Sequence, residues 1–235
     1  MKSQQRRAVS LRISVTDRCQ LRCVYCLPLK GVTKLPAGDI LSFEEIIRFA
    51  RAMQAGFDLL KVHLTGGEPL VRHGIVELVA GLAALRIPDL VLTTNGQLLA
   101  GSALDLKHAG LHRVTISLDS IHDETYQTIT RGGDLKRTLA GIKAALQAGL
   151  APVKINVVVL RGLNDNETAD IAHFGLAQGC QVRFLELMPI GCARAQFRNR
   201  FVASAEVRRR LESSFQLTPM DHDTRRSSRN FLSVG

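Results

Sequence analysis

Three cysteines within eight residues, Cys19, Cys23 and Cys26, follow the spacing Cys-x3-Cys-x2-Cys. Three thiolates can hold three irons of a four-iron cluster and leave the fourth iron open to a ligand that is not protein. Just before them, Leu11-Arg12-Ile13-Ser14-Val15 alternates as a strand does, so the cysteines are expected on a strand-end loop, where binding chemistry concentrates. The competing reading is structural zinc, which takes four ligands, usually as two paired clips. Cys180 and Cys192 each stand alone behind a glycine and offer no second clip. A disulfide framework fits less well, because five cysteines are few for 235 residues and no secretory signal is read at the start. A reducing, cytoplasmic setting is therefore expected.

The elements that must position this loop recur along the chain. Apolar, β-branched segments at 11–16, 60–65, 89–94, 113–118, 153–160 and 181–188 read as six strands. Helical patterns fall near 42–55, 74–86, 97–109, 134–148, 165–178 and 203–214, the first opened by Ser42 with Glu45 three residues on, a capping box. Repeated strand–helix units imply parallel strands joined by right-handed crossovers, in an open α/β sheet or a barrel-like one. Most strands end in polar or glycine-bearing motifs, including Thr65-Gly66-Gly67-Glu68-Pro69, Thr93-Thr94-Asn95-Gly96 and Ser117-Leu118-Asp119. In a parallel barrel all these ends face one way, as an active-site rim does.

Composition bounds the partners. The chain is 46% hydrophobic, enough for a sizeable core, and no run approaches the roughly 18 apolar residues of a membrane span. The net charge of +10 is carried by the ends: residues 1–30 hold seven Lys/Arg against one acid, and residues 191–235 hold nine Arg against four. Nucleic acid is a weak explanation for this charge, because Trp is absent and aromatics make up only 5% of residues, too few for a stacking platform. A polyanionic small substrate explains it equally well. Arg12 and Lys154 are cations inside strand patterns, a costly place for charge unless it faces a polar cavity or an anion.

The CxxxCxxC loop and the glycine-rich strand end resemble those of the radical S-adenosylmethionine enzymes. The stretches Leu11 to Cys19, Leu64 to Leu70, Ser117 to Ser120 and Arg183 to Gly191 are similar, within that superfamily, to the GTP 3',8-cyclases of molybdenum-cofactor biosynthesis. The resemblance implies an α/β fold, a partial (β/α)6 TIM-like barrel over residues 1–190. It also implies a 4Fe-4S cluster on Cys19, Cys23 and Cys26, with S-adenosyl-L-methionine touching Tyr25, Gly67, Ser117 and Met188. Arg12, His63, Thr93 and Lys154 fall at positions that contact GTP, His63 standing where the cyclases carry arginine.

The implied reaction is a lyase-type cyclisation, in which hydrogen abstraction from the ribose of GTP is followed by attack on C8 of guanine. The implied partners are GTP or a related nucleotide, an electron donor such as flavodoxin or ferredoxin, and a second copy in a homodimer, with neither a membrane nor nucleic acid among them. Residues 191–235 are expected to be a basic C-terminal extension, the start of the region where the cyclases carry a second three-cysteine set. Cys180 and Cys192 do not reproduce that set. Radical chemistry on another substrate, an inactive shortened homologue and a zinc-holding nucleic-acid-binding module remain open as alternatives.

Overall fold

The computed structural model describes residues 6–220 and 229–234. Six parallel strands form one sheet: Ala8–Ser14 (β1), Asp58–Thr65 (β2), Asp89–Thr94 (β3), Arg113–Ser117 (β4), Lys154–Val158 (β5) and Gln181–Leu185 (β6). They lie side by side in sequence order, each hydrogen-bonded to the next, and β1 and β6 are the two edges. Sequential parallel order with right-handed crossovers puts the connecting helices on one face and leaves the other facing inward. The result is the open, partial (β/α)6 barrel the sequence implies.

The helices are Phe43–Gly56 (α1), Ile75–Ala83 (α2), Ala103–His108 (α3), Asp123–Thr130 (α4), Leu135–Gln147 (α5), Thr168–Ala177 (α6), Ala193–Arg200 (α7) and Ser204–Glu212 (α8). The capping box at α1 is complete: the Ser42 hydroxyl accepts from the Glu45 N–H, and the Glu45 carboxylate accepts from the Ser42 N–H. Two helices, α4 and α7, go beyond the sequence reading. The helix expected at 97–109 is interrupted at Gly101 and Ser102, leaving a single 3-10 turn and the short α3. The strand expected to run to 188 ends at Leu185, and Met188 lies outside the sheet. Within the basic extension expected at 191–235, two short antiparallel strands, Gln216–Pro219 (β7) and Phe231–Val234 (β8), pair on either side of a polar tail at 221–230. Residues 221–228 of that tail lie outside the described residues.

The two faces of the sheet differ because strand side chains alternate. Val62, Leu64, Leu90, Leu92, Val114, Ile116, Ile155 and Val157 are buried beneath the helices and form the main core. The residues between them point the other way. Across the strands, Arg12 is level with His63, His63 with Val91 and Val91 with Arg113. Thr93 is level with Thr115, and Thr115 with Lys154. An apolar outer layer thus holds a polar inner one in fixed register. Leu92 is fully buried at the centre of this layer, and Leu92→Ala should cost about 2–5 kcal/mol through lost transfer energy and the cavity left behind. Chemical denaturation should read this as a lowered midpoint with an unchanged slope.

Candidate active site

The cysteine loop continues β1 beyond the end of the sheet. Past Ser14 the backbone ladder with β2 runs on: the Val15 N–H donates to the Thr65 carbonyl, Gly67 N–H to Thr16 and Glu68 N–H to Arg18, at 2.8, 2.7 and 2.7 Å. This approach needs glycine twice. Gly66 has φ +145°, and a Cβ on Gly67 would overlap the Arg18 carbonyl. The space of Gly67's missing side chain is taken up by the backbone that leads into Cys19.

Glu68 ties the next strand to this corner. Its buried carboxylate accepts from the Thr94 hydroxyl at 2.7 Å and from the N–H groups of Asn95 and Leu70 at 2.6 and 3.0 Å. Asn95 in turn directs its amide toward the Cys19 sulfur at 3.8 Å, which also accepts from the Leu21 N–H at 3.4 Å. Both donors favour a thiolate at that position.

The three thiols sense one another. Burial first, then neighbouring negative charge, raises Cys19 and Cys23 above the ordinary thiol range, and each is raised further by Cys26. A protein loop alone therefore disfavours three thiolates here, and a cationic metal centre would supply the missing counter-charge. Among the described residues, no three His, Cys, Asp or Glu side chains converge to hold one metal ion. Three thiols on one loop match a four-iron cluster with one iron left to another ligand, whereas structural zinc takes four protein ligands. Cys180 is buried in the core, whereas Cys192 lies near enough to Cys26 to raise its thiol, second only to burial. The sequence offered no motif for that proximity.

Tyr25, between two of the cysteines, turns its hydroxyl inward and donates to Asp119 at 2.6 Å. Ser117 ends β4 level with Asn156 on β5, whose buried Oδ1 has no hydrogen-bond partner. An orphaned acceptor beside the rim fits a donor on a bound molecule. Met188 is 64% exposed at the same end of the sheet.

Below the rim, the inner face is cationic. His63 Nε2 and Thr93 Oγ1 share a hydrogen bond of 2.5 Å, and burial followed by the cations Lys61, Arg12 and Arg113 pushes the imidazole down to about 4. His63 is therefore neutral at physiological pH. Lys154 is lowered by burial, then by Arg113, Arg183 and Lys61; Lys61 is lowered by burial, then by Arg113. These mutual effects place Lys61, Arg113 and Arg183 alongside Arg12 and Lys154, although the strand patterns had singled out only the last two. Among the described residues one acid, Asp89, answers them with a bidentate pair to Arg113 at 2.5 and 2.9 Å and a looser contact to Lys61 at 3.9 Å. Charge on this face is undercompensated, which favours an anionic ligand.

Comparisons with known proteins show the family to which the chain belongs. Residues 13–175 match the model of the radical SAM superfamily. The chain is 49% identical to the GTP 3',8-cyclase of Geobacter sulfurreducens over 92% of its own length and 66% of that relative. It is 46% identical to the GTP 3',8-cyclase of Moorella thermoacetica over 98% of its length and 72% of that relative. The chain thus spans about two thirds of the length of these curated relatives. In fold it is similar to Streptococcus suis SuiB bound to precursor peptide SuiA, with a TM-score of 0.64 at 19% identity, covering 78% of this chain and 40% of that one.

The ladder into Cys19 makes Gly67→Ala a sharp test of the loop. The added methyl should displace the Arg18 backbone, and iron bound after anaerobic reconstitution should fall well below the wild-type content while far-UV circular dichroism stays near wild type.

Proposed function

Because the chain belongs to the radical SAM superfamily, we propose that it is a radical S-adenosylmethionine enzyme of the GTP 3',8-cyclase type, acting on GTP at the inner face of its open barrel. The observation that carries this reading is the group of five cations, Arg12, Lys61, Arg113, Lys154 and Arg183, set below a three-cysteine loop with, among the described residues, Asp89 as the single opposing acid. A triphosphate would supply the missing negative charge, and guanidinium groups can grip it in two-point fashion.

Cys19, Cys23 and Cys26 would hold the 4Fe-4S cluster, and S-adenosylmethionine would lie against Tyr25, Gly67, Ser117 and Met188. When bound, the pair supplies a one-electron cleavage of the sulfonium and so a hydrogen-abstracting radical. The chain's own task is placement. The ladder from Val15 to Glu68 sets the cysteine loop at the strand ends, and strand register sets Thr93 and Lys154 on one level below it, with Thr115 between them. Fixed strand ends hold two ligands in register better than mobile loops would. An electron donor such as flavodoxin or ferredoxin, and assembly as a homodimer, belong to the same reading. So does a division into a barrel at 1–190 and a basic extension at 191–235. A cytoplasmic setting belongs to the same reading; no helix among the described residues is long and apolar enough to cross a membrane.

A second reading, radical chemistry on another anionic substrate, is favoured by the neutral state of His63. The two readings separate by product analysis. Reconstituted protein given dithionite, S-adenosylmethionine and GTP should yield 5'-deoxyadenosine together with a cyclised guanosine triphosphate. Formation of 5'-deoxyadenosine that GTP neither accelerates nor accompanies into product would set the cyclase reading aside. Cys23→Ala should abolish both the brown chromophore and the cleavage.

The cation face yields its own expectations. Lys154→Ala should weaken GTP binding about tenfold or more, an effect that shrinks as salt is raised, readable by calorimetry. Since His63 is neutral above about pH 4, its protonation should add no step to GTP affinity between pH 5.5 and 8. His63→Arg, which adds a permanent cation, should tighten GTP binding across that whole range.

A further inference from the structure

Asp119 is an unusual carboxylate. It is 3% exposed and, among the described residues, no cation pairs with it. Burying an unpaired charge costs free energy, so a neutral residue would be preferred on stability grounds alone. The contacts do not demand a charge either. Oδ2 accepts from the Tyr25 hydroxyl at 2.6 Å and Oδ1 from the Val158 N–H at 2.8 Å. An asparagine could satisfy both sites, its oxygen accepting from Val158 and its amide donating to the Tyr25 oxygen.

What the carboxylate has is a fixed place. The Asp119 backbone carbonyl accepts from the Asn164 side-chain amide at 2.6 Å, and the same amide donates to the Val158 backbone carbonyl at 2.9 Å. The Asn164 oxygen closes the ring by accepting from the Leu160 N–H at 2.7 Å. Tyr25 packs with Val24, Leu160 and Leu187 in a small apolar cluster of its own, away from the main core. The Gln196 amide on α7 donates to the Val24 carbonyl at 3.0 Å, which ties the far side of the loop down. The side chain is therefore held in place beside the cysteine loop, in a dry setting that pushes its pKa up to about 6; at pH 8 it is ionised, and its charge acts strongly there. Cys23 registers it: after burial, Asp119 is what raises that thiol most.

We infer that Asp119, locked against Tyr25 between two of the cysteines, is a positioning residue that lowers the reduction potential of the cluster on Cys19, Cys23 and Cys26. The inference rests on the cluster assignment made above. Reduction adds one electron to the metal centre, and a fixed negative charge nearby opposes that addition, since cluster potentials follow local net charge and burial. A lower potential makes the reduced centre a stronger one-electron donor to a sulfonium.

The test uses the full chain, reconstituted anaerobically without S-adenosylmethionine, with iron content measured and the potential read by redox titration followed by electron paramagnetic resonance. Asp119→Asn should hold a full cluster and titrate at a clearly higher potential. Tyr25→Phe removes the hydrogen bond and leaves the carboxylate charge, and it should titrate at or below the wild-type value. An Asp119→Asn protein with full iron content and an unchanged potential would overturn the inference, as would an equal rise in both variants, which would trace the effect to loop anchoring rather than charge. Should Asp119→Asn take up no iron, Asp119→Glu decides: retained charge should keep the potential at or below wild type, and a raised value there also refutes the idea. Wild-type protein that binds no iron would instead bring down the cluster assignment, together with the inference built on it.

Discussion

The structure depends on a backbone ladder that outlasts its sheet. β1 and β2 keep exchanging hydrogen bonds past Ser14 and Thr65, through Thr16 and Gly67 and on to Arg18 and Glu68. A loop of eight residues carrying three cysteines would otherwise be free to sample many shapes, and each ordered residue costs about 1–2 kcal/mol of backbone entropy. The ladder takes that cost out of metal binding by ordering the approach to Cys19 beforehand. It works only because two successive glycines let the chains close to contact. The Glu68 carboxylate then couples the corner to Thr94 at the end of β3 and to Asn95 just beyond it, so the loop's position is transmitted across three neighbouring strands.

Much of this was legible in the residues. Strand–helix alternation, the β-branched segments and the capping box at Ser42 specify the layer order, and all six parallel strands fall within the stretches that pattern marks or within a few residues of them. The departures have local causes. β1 begins at Ala8 rather than Leu11 because Asp58 and Leu59 extend β2 and offer it partners. The helix α3 is short because Gly101 and Ser102 interrupt it. The helix α4 was missed because its eight residues, Asp123–Thr130, mix threonines with few apolar positions and follow β4 after only a short loop. Its Ile129 and Thr130 carbonyls accept from Val24 and Arg22, so the helix is stabilised by the cysteine loop it supports. That reciprocity is tertiary and leaves no periodic trace.

The candidate site was legible unevenly for a related reason. Spacing alone exposes the cysteines, because ligand geometry constrains neighbours in sequence. Arg12 and Lys154 stood out as cations in strand patterns. Lys61, Arg113 and Arg183 did not, since a cation at a strand's end or among other polar residues reads as solvated surface. Only register reveals that these residues share one face. Asp119 was hidden in the same way: within Ser117-Leu118-Asp119 it looks like the start of a turn, and its meaning comes from Tyr25, 94 positions away.

The charges divide the interior along the strands. At the carboxyl ends stand the thiols with two buried carboxylates, Glu68 and Asp119; farther down the inner face stand the cations around Lys61 and Lys154. Glu68 and Asp119 are buried and Lys61 and Lys154 partly so, which leaves these charges less well solvated than on an open surface and raises the free energy of the protein without its ligands. A ligand pair with its positive centre near the rim and its phosphates below would relieve both at once. Opposite fields at the two levels also make the reverse arrangement costly, since phosphates at the rim would face carboxylates and a sulfonium below would face guanidinium groups. Orientation of the two ligands would thus come from the same unpaired charges that the empty fold tolerates at a cost in stability.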